Sequence, residues 1–124
     1  MNTCQIDLLE VIKGRGGVAI QTPSINANGQ PIIIGEGDEQ TYKTEDLTIG
    51  RLIMDLCDVQ NSLHAIERGR IANMAYAALQ TAKPLVIGAG AAKVLKESLQ
   101  FCQVPAAAAR LADILDEAFP PDSE

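Results

Sequence analysis

The chain has 124 residues, enough for one domain whose core buries roughly two-thirds of the unfolded surface. With 47 % hydrophobic and 21 % charged residues it is a globular sequence, which excludes intrinsic disorder. Its net charge of −6 opposes phosphate backbones and argues against nucleic-acid binding, and no apolar run approaches the ~20 residues of a membrane span.

The elements follow in chain order. Residues 3–13 (TCQIDLLEVIK) read as a helix, with Leu8, Leu9 and Ile12 as its stripe and Asn2 or Thr3 as its cap. Gly14, Gly16 and Gly17 end it, and Arg15 places one guanidinium on that turn. Residues 18–36 read as a hairpin: Val18, Ile20, Thr22 and Ile25 precede a turn at 26–30, and Ile32, Ile33 and Ile34 follow it. The Asn28-Gly29 pair favours a tight reversal, and Pro23 and Pro31 mark edge strands. An isolated hairpin is marginal in water, so its isoleucine face is expected to pack on helices. Residues 37–46 (GDEQTYKTED) read as a polar loop.

A second helix is expected over about 48–57, with Thr48 as cap and Leu52, Ile53 and Leu56 inward. The third, about 62–82, has Leu63, Ile66, Met74, Ala78 and Leu79 as its buried side and stops at Lys83-Pro84. Residues 85–87 are short and either extended or already helical. Helix four, about 89–101, carries Val94, Leu95, Ser98 and Leu99 in register. Pro105 opens helix five, about 105–118, with Ala108, Leu111, Ala112 and Leu115 as its stripe. The chain thus reads as α+β, mostly α: an N-terminal helix and a β-hairpin, then a bundle of four short helices. One domain spans 1–119, and 120–124 is a frayed acidic tail.

The strongest chemical motif is Leu85-Val86-Ile87-Gly88-Ala89-Gly90-Ala91-Ala92-Lys93. An apolar strand, a GxG and a helix start have the order of a dinucleotide-binding fold, but no second strand follows, so no βαβ unit can form. Two readings remain: a close-packed helix start, or a bare anion site with the Gly88 and Gly90 amides and Lys93 as donors. That site would hold a nucleotide or another anion as a small ligand without hydrolysing it. His64, the single histidine, sits near the start of helix three, where Glu67 and Arg68 give it ion-pair neighbours and not a nucleophile. Glu67, Arg68 and Arg70 form a charged patch that Arg51 can approach, a solvated face or an anion-recognition surface. Three scattered cysteines, Cys4, Cys57 and Cys102, offer no paired metal ligands and fit free thiols in a reducing cytoplasm.

Aromatic residues are scarce, with two Tyr, two Phe and no Trp, so Leu, Ile, Val and Ala build the core. Each buries little area at ~25 cal/mol per Å2, and such a domain often gains burial by self-association. Alanines 72, 75, 77 and 78 make helix three apolar on more than one side, which places it centrally in the bundle or in an oligomer contact. The acidity is local. Asp113, Asp116, Glu117, Asp122 and Glu124 follow Arg110 with no base among them. A second cluster, Glu36, Asp38, Glu39, Glu45 and Asp46, is relieved only by Lys43. Such clusters keep a surface soluble or dock on a basic partner.

The stretches Ala27-Asn28-Gly29-Gln30-Pro31-Ile32 and Asp46-Leu47-Thr48-Ile49-Gly50-Arg51-Leu52, with helices filling the rest, resemble small proteins encoded by bacteriophages and prophages. In that group a "-DG-x-P-I-" turn precedes an "-LTLG-" helix start and a short helical end. The resemblance covers about half of the chain, does not extend to the Gly88–Ala92 run or Cys57, and carries over no functional residue. It implies a setting in which small acidic proteins act by binding, as assembly chaperones for tail proteins or inhibitors of host enzymes. The expectation is a non-enzymatic interaction protein of the bacterial host cytoplasm, a homo-oligomer with a partner of basic surface, and without cofactor, metal, nucleic acid or membrane.

Overall fold

Residues 3–26, 28 and 30–120 are described by the computed structural model. The expected cap Asn2, turn residues Ala27 and Gly29, and the tail 121–124 lie outside them, as does the Arg15 side chain. The chain is α+β and mostly α, with four α-helices among the described residues. One core cluster runs from Cys4 to Leu115.

The N-terminal segment is a strand, β1 (Cys4–Ile6), where the sequence reading expects a helix. Its buried residues are Cys4, Ile6 and Leu8, with a period of two, while Leu9 is 68 % exposed. That alternation competes with the helical spacing of Leu8, Leu9 and Ile12, and a remote partner decides the contest. β1 pairs antiparallel with β6 (Leu85–Ile87) in the register Cys4↔Ile87, Gln5↔Val86, Ile6↔Leu85. The alternation Leu85 in, Val86 out, Ile87 in puts both inner faces in the core. After β1 the Asp7 carboxylate accepts the Leu9 amide, an Asx turn that breaks any helix.

The expected hairpin is present about its turn, where Asn26 N–H donates to the Gln30 carbonyl (2.8 Å), but its outer strands take other partners. β2 (Gln21–Pro23) pairs with β5 (Thr44–Asp46), and β3 (Ile33–Ile34) pairs with β4 (Thr41–Tyr42). The polar run 37–46, expected as a loop, supplies two strands, because solvent-facing strands need no apolar alternation. The arms of the reversal meet at the bridge Ile25↔Pro31, and Ile32 N–H closes it on Ser24. A ring of three backbone hydrogen bonds joins the branches. Ser24 N–H donates to the Lys43 carbonyl (2.8 Å), Lys43 N–H to Ile32 (2.8 Å), and Ile32 N–H to Ser24 (3.0 Å). The result is a three-branched β arm with β2–β5 as its stem. Gly35 (φ 92°) is required there, since a Cβ would lie 2.5 Å from the Glu39 carbonyl oxygen. Of the hairpin's isoleucines, Ile20 is half-buried against the core, whereas Ile25, Ile33 and Ile34 are exposed; among the described residues no fully buried hydrophobic falls between Ile12 and Leu47.

The helices are α1 (Ile49–Cys57), α2 (Ala65–Gln80), α3 (Ala89–Ser98) and α4 (Pro105–Ala118). The first amides of α1 all find acceptors. Ile49 donates to the Glu10 carbonyl (3.0 Å), Gly50 to Leu8 (2.9 Å), and Arg51 to the Thr48 hydroxyl (3.2 Å), as the expected cap requires. Inward faces are Leu52, Ile53 and Leu56 on α1, joined by Ile49; Ala92, Val94, Leu95 and Ser98 on α3; and Ala107, Leu111 and Leu115 on α4. Ala107 replaces the expected Ala108 in that last stripe. Arg110 reaches back across the fold to Glu10, Nε to Oε2 at 2.6 Å and Nη2 to Oε1 at 2.8 Å. This hydrogen bonding holds the Glu10 carboxyl below its usual range.

Helix α2 differs most from expectation. Its buried stripe is Arg68, Ile71 and Ala75, whereas Ile66 and Met74 face solvent. It ends at Gln80, before Lys83-Pro84. Lys83 N–H bonds the Ala78 carbonyl and Ala82 N–H the Leu79 carbonyl, with Ala82 at φ 53°. This is a Schellman closure with alanine where glycine is favoured.

These close approaches give opposite expectations for two small substitutions. Gly50→Ala drives a Cβ to 2.9 Å from the Leu8 carbonyl oxygen and lowers unfolding free energy by about 1–3 kcal/mol. Ala82→Gly relieves the left-handed residue and raises it by about 0.5–1 kcal/mol. Urea midpoints at constant slope measure both.

Candidate functional site

The residues singled out from the sequence do not converge on one site. Arg68, expected on a charged surface patch, is 2 % exposed. Its Nε donates to the Leu63 carbonyl (2.8 Å), Nη1 to Val59 (2.7 Å) and Leu56 (3.3 Å), and Nη2 to the Asn61 carbonyl. The guanidinium carbon lies 5.5 Å from the Phe101 ring centroid. Carbonyl dipoles take the place of water around this cation, including one at the negative end of α1. Arg51 is committed elsewhere: its Nε donates to both Asp55 oxygens at 3.0 and 3.1 Å. Arg70 is exposed on α2. The three arginines therefore form no shared patch.

Gly88 is the N-cap of α3, with an extended backbone and no side-chain cap. A Cβ at Gly88 or at Gly90 would meet nothing within 4 Å, so this is not a close-packed helix start. Lys93 is exposed and borders a hollow of about 150 Å3 with Ala89, Ala92, Lys96, Leu115 and Phe119. Lys96 is bonded to Asp116. Because β6 neighbours the antiparallel β1, no βαβ unit surrounds this start.

His64 stands at φ 50°, just before α2, and its Nε2 meets Glu97 Oε2 on α3 at 2.5 Å. Its partner is thus on another helix, not the adjacent Glu67 or Arg68. The Cys102 thiol donates to the Val104 carbonyl at 3.4 Å. Among the described residues no hydrogen bond joins a thiol to the imidazole, and no group of three potential metal ligands gathers. Burial pushes the Cys57 thiol up to about 11, against a smaller downward pull from Arg68. Desolvation likewise raises the Asp55 carboxyl, with Arg51 opposing it. Asp55 borders a hollow of about 270 Å3 between β2, α1 and residues 101–104.

What the sequence reading missed is exposed apolar surface. Ile33 and Tyr42, directly paired across β3 and β4, are each 57 % exposed and border a hollow of about 180 Å3 with Gln40 and Thr41. Ile25 and Ile34 are exposed on the same arm, and Ile66, Met74 and Tyr76 on α2. A further hollow of about 320 Å3 lies between Leu8, Leu9 and the end of α2, with Asp7 and Lys83 at its border. The Thr-Tyr-Lys-Thr run, rich in β-formers, was the available signal for the strand that displays Tyr42. Among the described residues, no helix is long and apolar enough to cross a membrane. Compared with family models, curated proteins and solved structures, the chain matches none.

Two outcomes follow from this chemistry. Arg68→Lys cannot span four carbonyls with one ammonium and lowers unfolding free energy by about 2–3 kcal/mol, measured by urea denaturation. The raised Cys57 value means the folded state keeps its thiol proton longer than the unfolded chain does. Its contribution to stability is complete below about 9 and is lost as pH rises through about 11. Thermal midpoints should fall over that window, and less so in Cys57→Ala.

Proposed function

We propose that the chain is a non-enzymatic interaction protein of phage or bacterial origin, an assembly chaperone or an inhibitor of a host protein. It works in the bacterial cytoplasm, assembles with itself through its helical surface, and meets its partner through its acidic surface. The observation that carries this reading is the orientation of α2. With Arg68, Ile71 and Ala75 turned inward, Ile66, Met74 and Tyr76 are left in solvent. Of the two readings open for this helix, central in the bundle or in contact with another copy, that orientation supports the second. Large apolar side chains outside a buried stripe are what an association surface requires.

Light scattering across a concentration series tests it. The expected result is a dimer or larger assembly at high concentration. Ile66→Asp, at a position that contributes nothing to the core, should weaken association by about tenfold or more. A strict monomer at the highest concentration would remove self-assembly from the proposal.

A further inference from the structure

We infer that the three-branched β arm is a docking surface for a partner protein that presents an apolar strip bordered by lysine and arginine. This rests on the reading of the chain as an interaction protein and names the site and the chemistry of the partner.

The first argument is what the arm does not do. Among the described residues of 21–46 none contributes a side chain to the hydrophobic core, and Ser24 is the one that is buried. Yet the segment carries Ile25, Ile33, Ile34 and Tyr42, all exposed. About half of their surface stays open to solvent after folding and remains available for an interface. Ile33 and Tyr42 share one face as a cross-strand pair, beside the hollow they form with Gln40 and Thr41. A tyrosine next to a hollow is the kind of anchor on which interface energy concentrates. Ile34, opposite Thr41, points to the other face of the same ribbon.

The second argument is shape. The ring of hydrogen bonds joining Ser24, Ile32 and Lys43 fixes the branches relative to one another. The Gln21 amide donates to Asp46 at 2.6 Å, and the Thr44 hydroxyl donates to Gln21 at 3.2 Å, tying β2 to β5 by side chains as well. Less conformational entropy is then lost when a partner binds.

The third argument is charge, and it selects the occupant. Glu36, Asp38, Glu39, Glu45 and Asp46 stand against the single ammonium of Lys43, so the arm holds four of the six net negative charges of the chain. Two arms facing each other would repel, and so would an arm facing a phosphate backbone or an anionic bilayer. A protein surface with lysine and arginine around an apolar strip meets both features at once.

The test uses the full chain labelled with 15N and a synthetic amphipathic peptide of leucine and lysine, with a leucine–glutamate peptide of equal length as control. Amide shifts should concentrate in residues 21–46 with the basic peptide, and the acidic one should not bind. Binding should fall by about tenfold or more in Ile33→Ser/Tyr42→Ser. It should also fall in Glu36→Gln/Asp38→Asn/Glu39→Gln, whose exposed side chains leave the fold intact, and in about 0.5 M salt. Shifts confined to α2 would overturn the arm as the site while leaving the interaction reading standing. Equal binding of the acidic peptide, or none of the basic one, would overturn the proposed partner chemistry. Arm shifts that grow with protein concentration alone would make the occupant a second copy and overturn the inference; the scattering experiment judges the wider reading separately.

Discussion

The buried guanidinium of Arg68 is the constraint on which much of the helical half depends. A charge at 2 % exposure is tolerated only where its donors are met, and here backbone carbonyls meet them. Those carbonyls belong to the last turn of α1 and to the connection leading into α2, so one side chain ties the two helices together. Its position over Phe101 adds the turn after α3 to the same cluster. The rotation of α2 follows. Once Arg68 faces inward, Ile71 and Ala75 follow it at helical spacing, and Ile66 and Met74 turn to solvent. The apolar surface on which self-assembly is proposed is thus a consequence of satisfying a buried cation.

A second close approach organises the other side of the core. α1 begins against the backbone of residues 8–10, which supplies acceptors to Ile49 and Gly50 and tolerates no side chain at residue 50. The same N-terminal segment forms β1, whose partner β6 leads directly into α3. The two-stranded sheet therefore connects the first residues to the last two helices, and the Glu10–Arg110 pair ties that segment to α4. The β arm leaves this body after Ile20, which packs against the core, and returns at Leu47. Core and arm answer to different physics: the first to burial, the second to backbone hydrogen bonds among polar strands. That division leaves the arm's isoleucines and tyrosine free for a partner.

Much of the helical half was legible in the sequence. Thr48 as a cap, Leu52, Ile53 and Leu56 as a stripe, and Pro105 at a helix start are local signals, decided within one or two turns. The Gly88–Lys93 run was also legible as a helix start outside a dinucleotide fold. The candidate arginines were not legible, because Arg51, Arg68 and Arg70 look alike in sequence and differ only in what other elements place beside them. Nor was Tyr42 legible as the cross-strand partner of Ile33, since it lies in a run whose polarity reads as loop.

By itself, then, the sequence determined the fold class, four helices, an acidic segment and a chain rich in small aliphatic residues. These depend on composition and on interactions between residues three or four apart. Tertiary structure alone decided that residues 4–6 are a strand, that the arm has three branches, that Arg68 is buried and that α2 turns Ile66 outward. Each of these requires a partner remote in the chain: Ile87 for Cys4, Lys43 for Ser24, the Leu56 carbonyl for Arg68. Periodicity shows which faces a segment has available, and only its distant neighbours determine which face is buried.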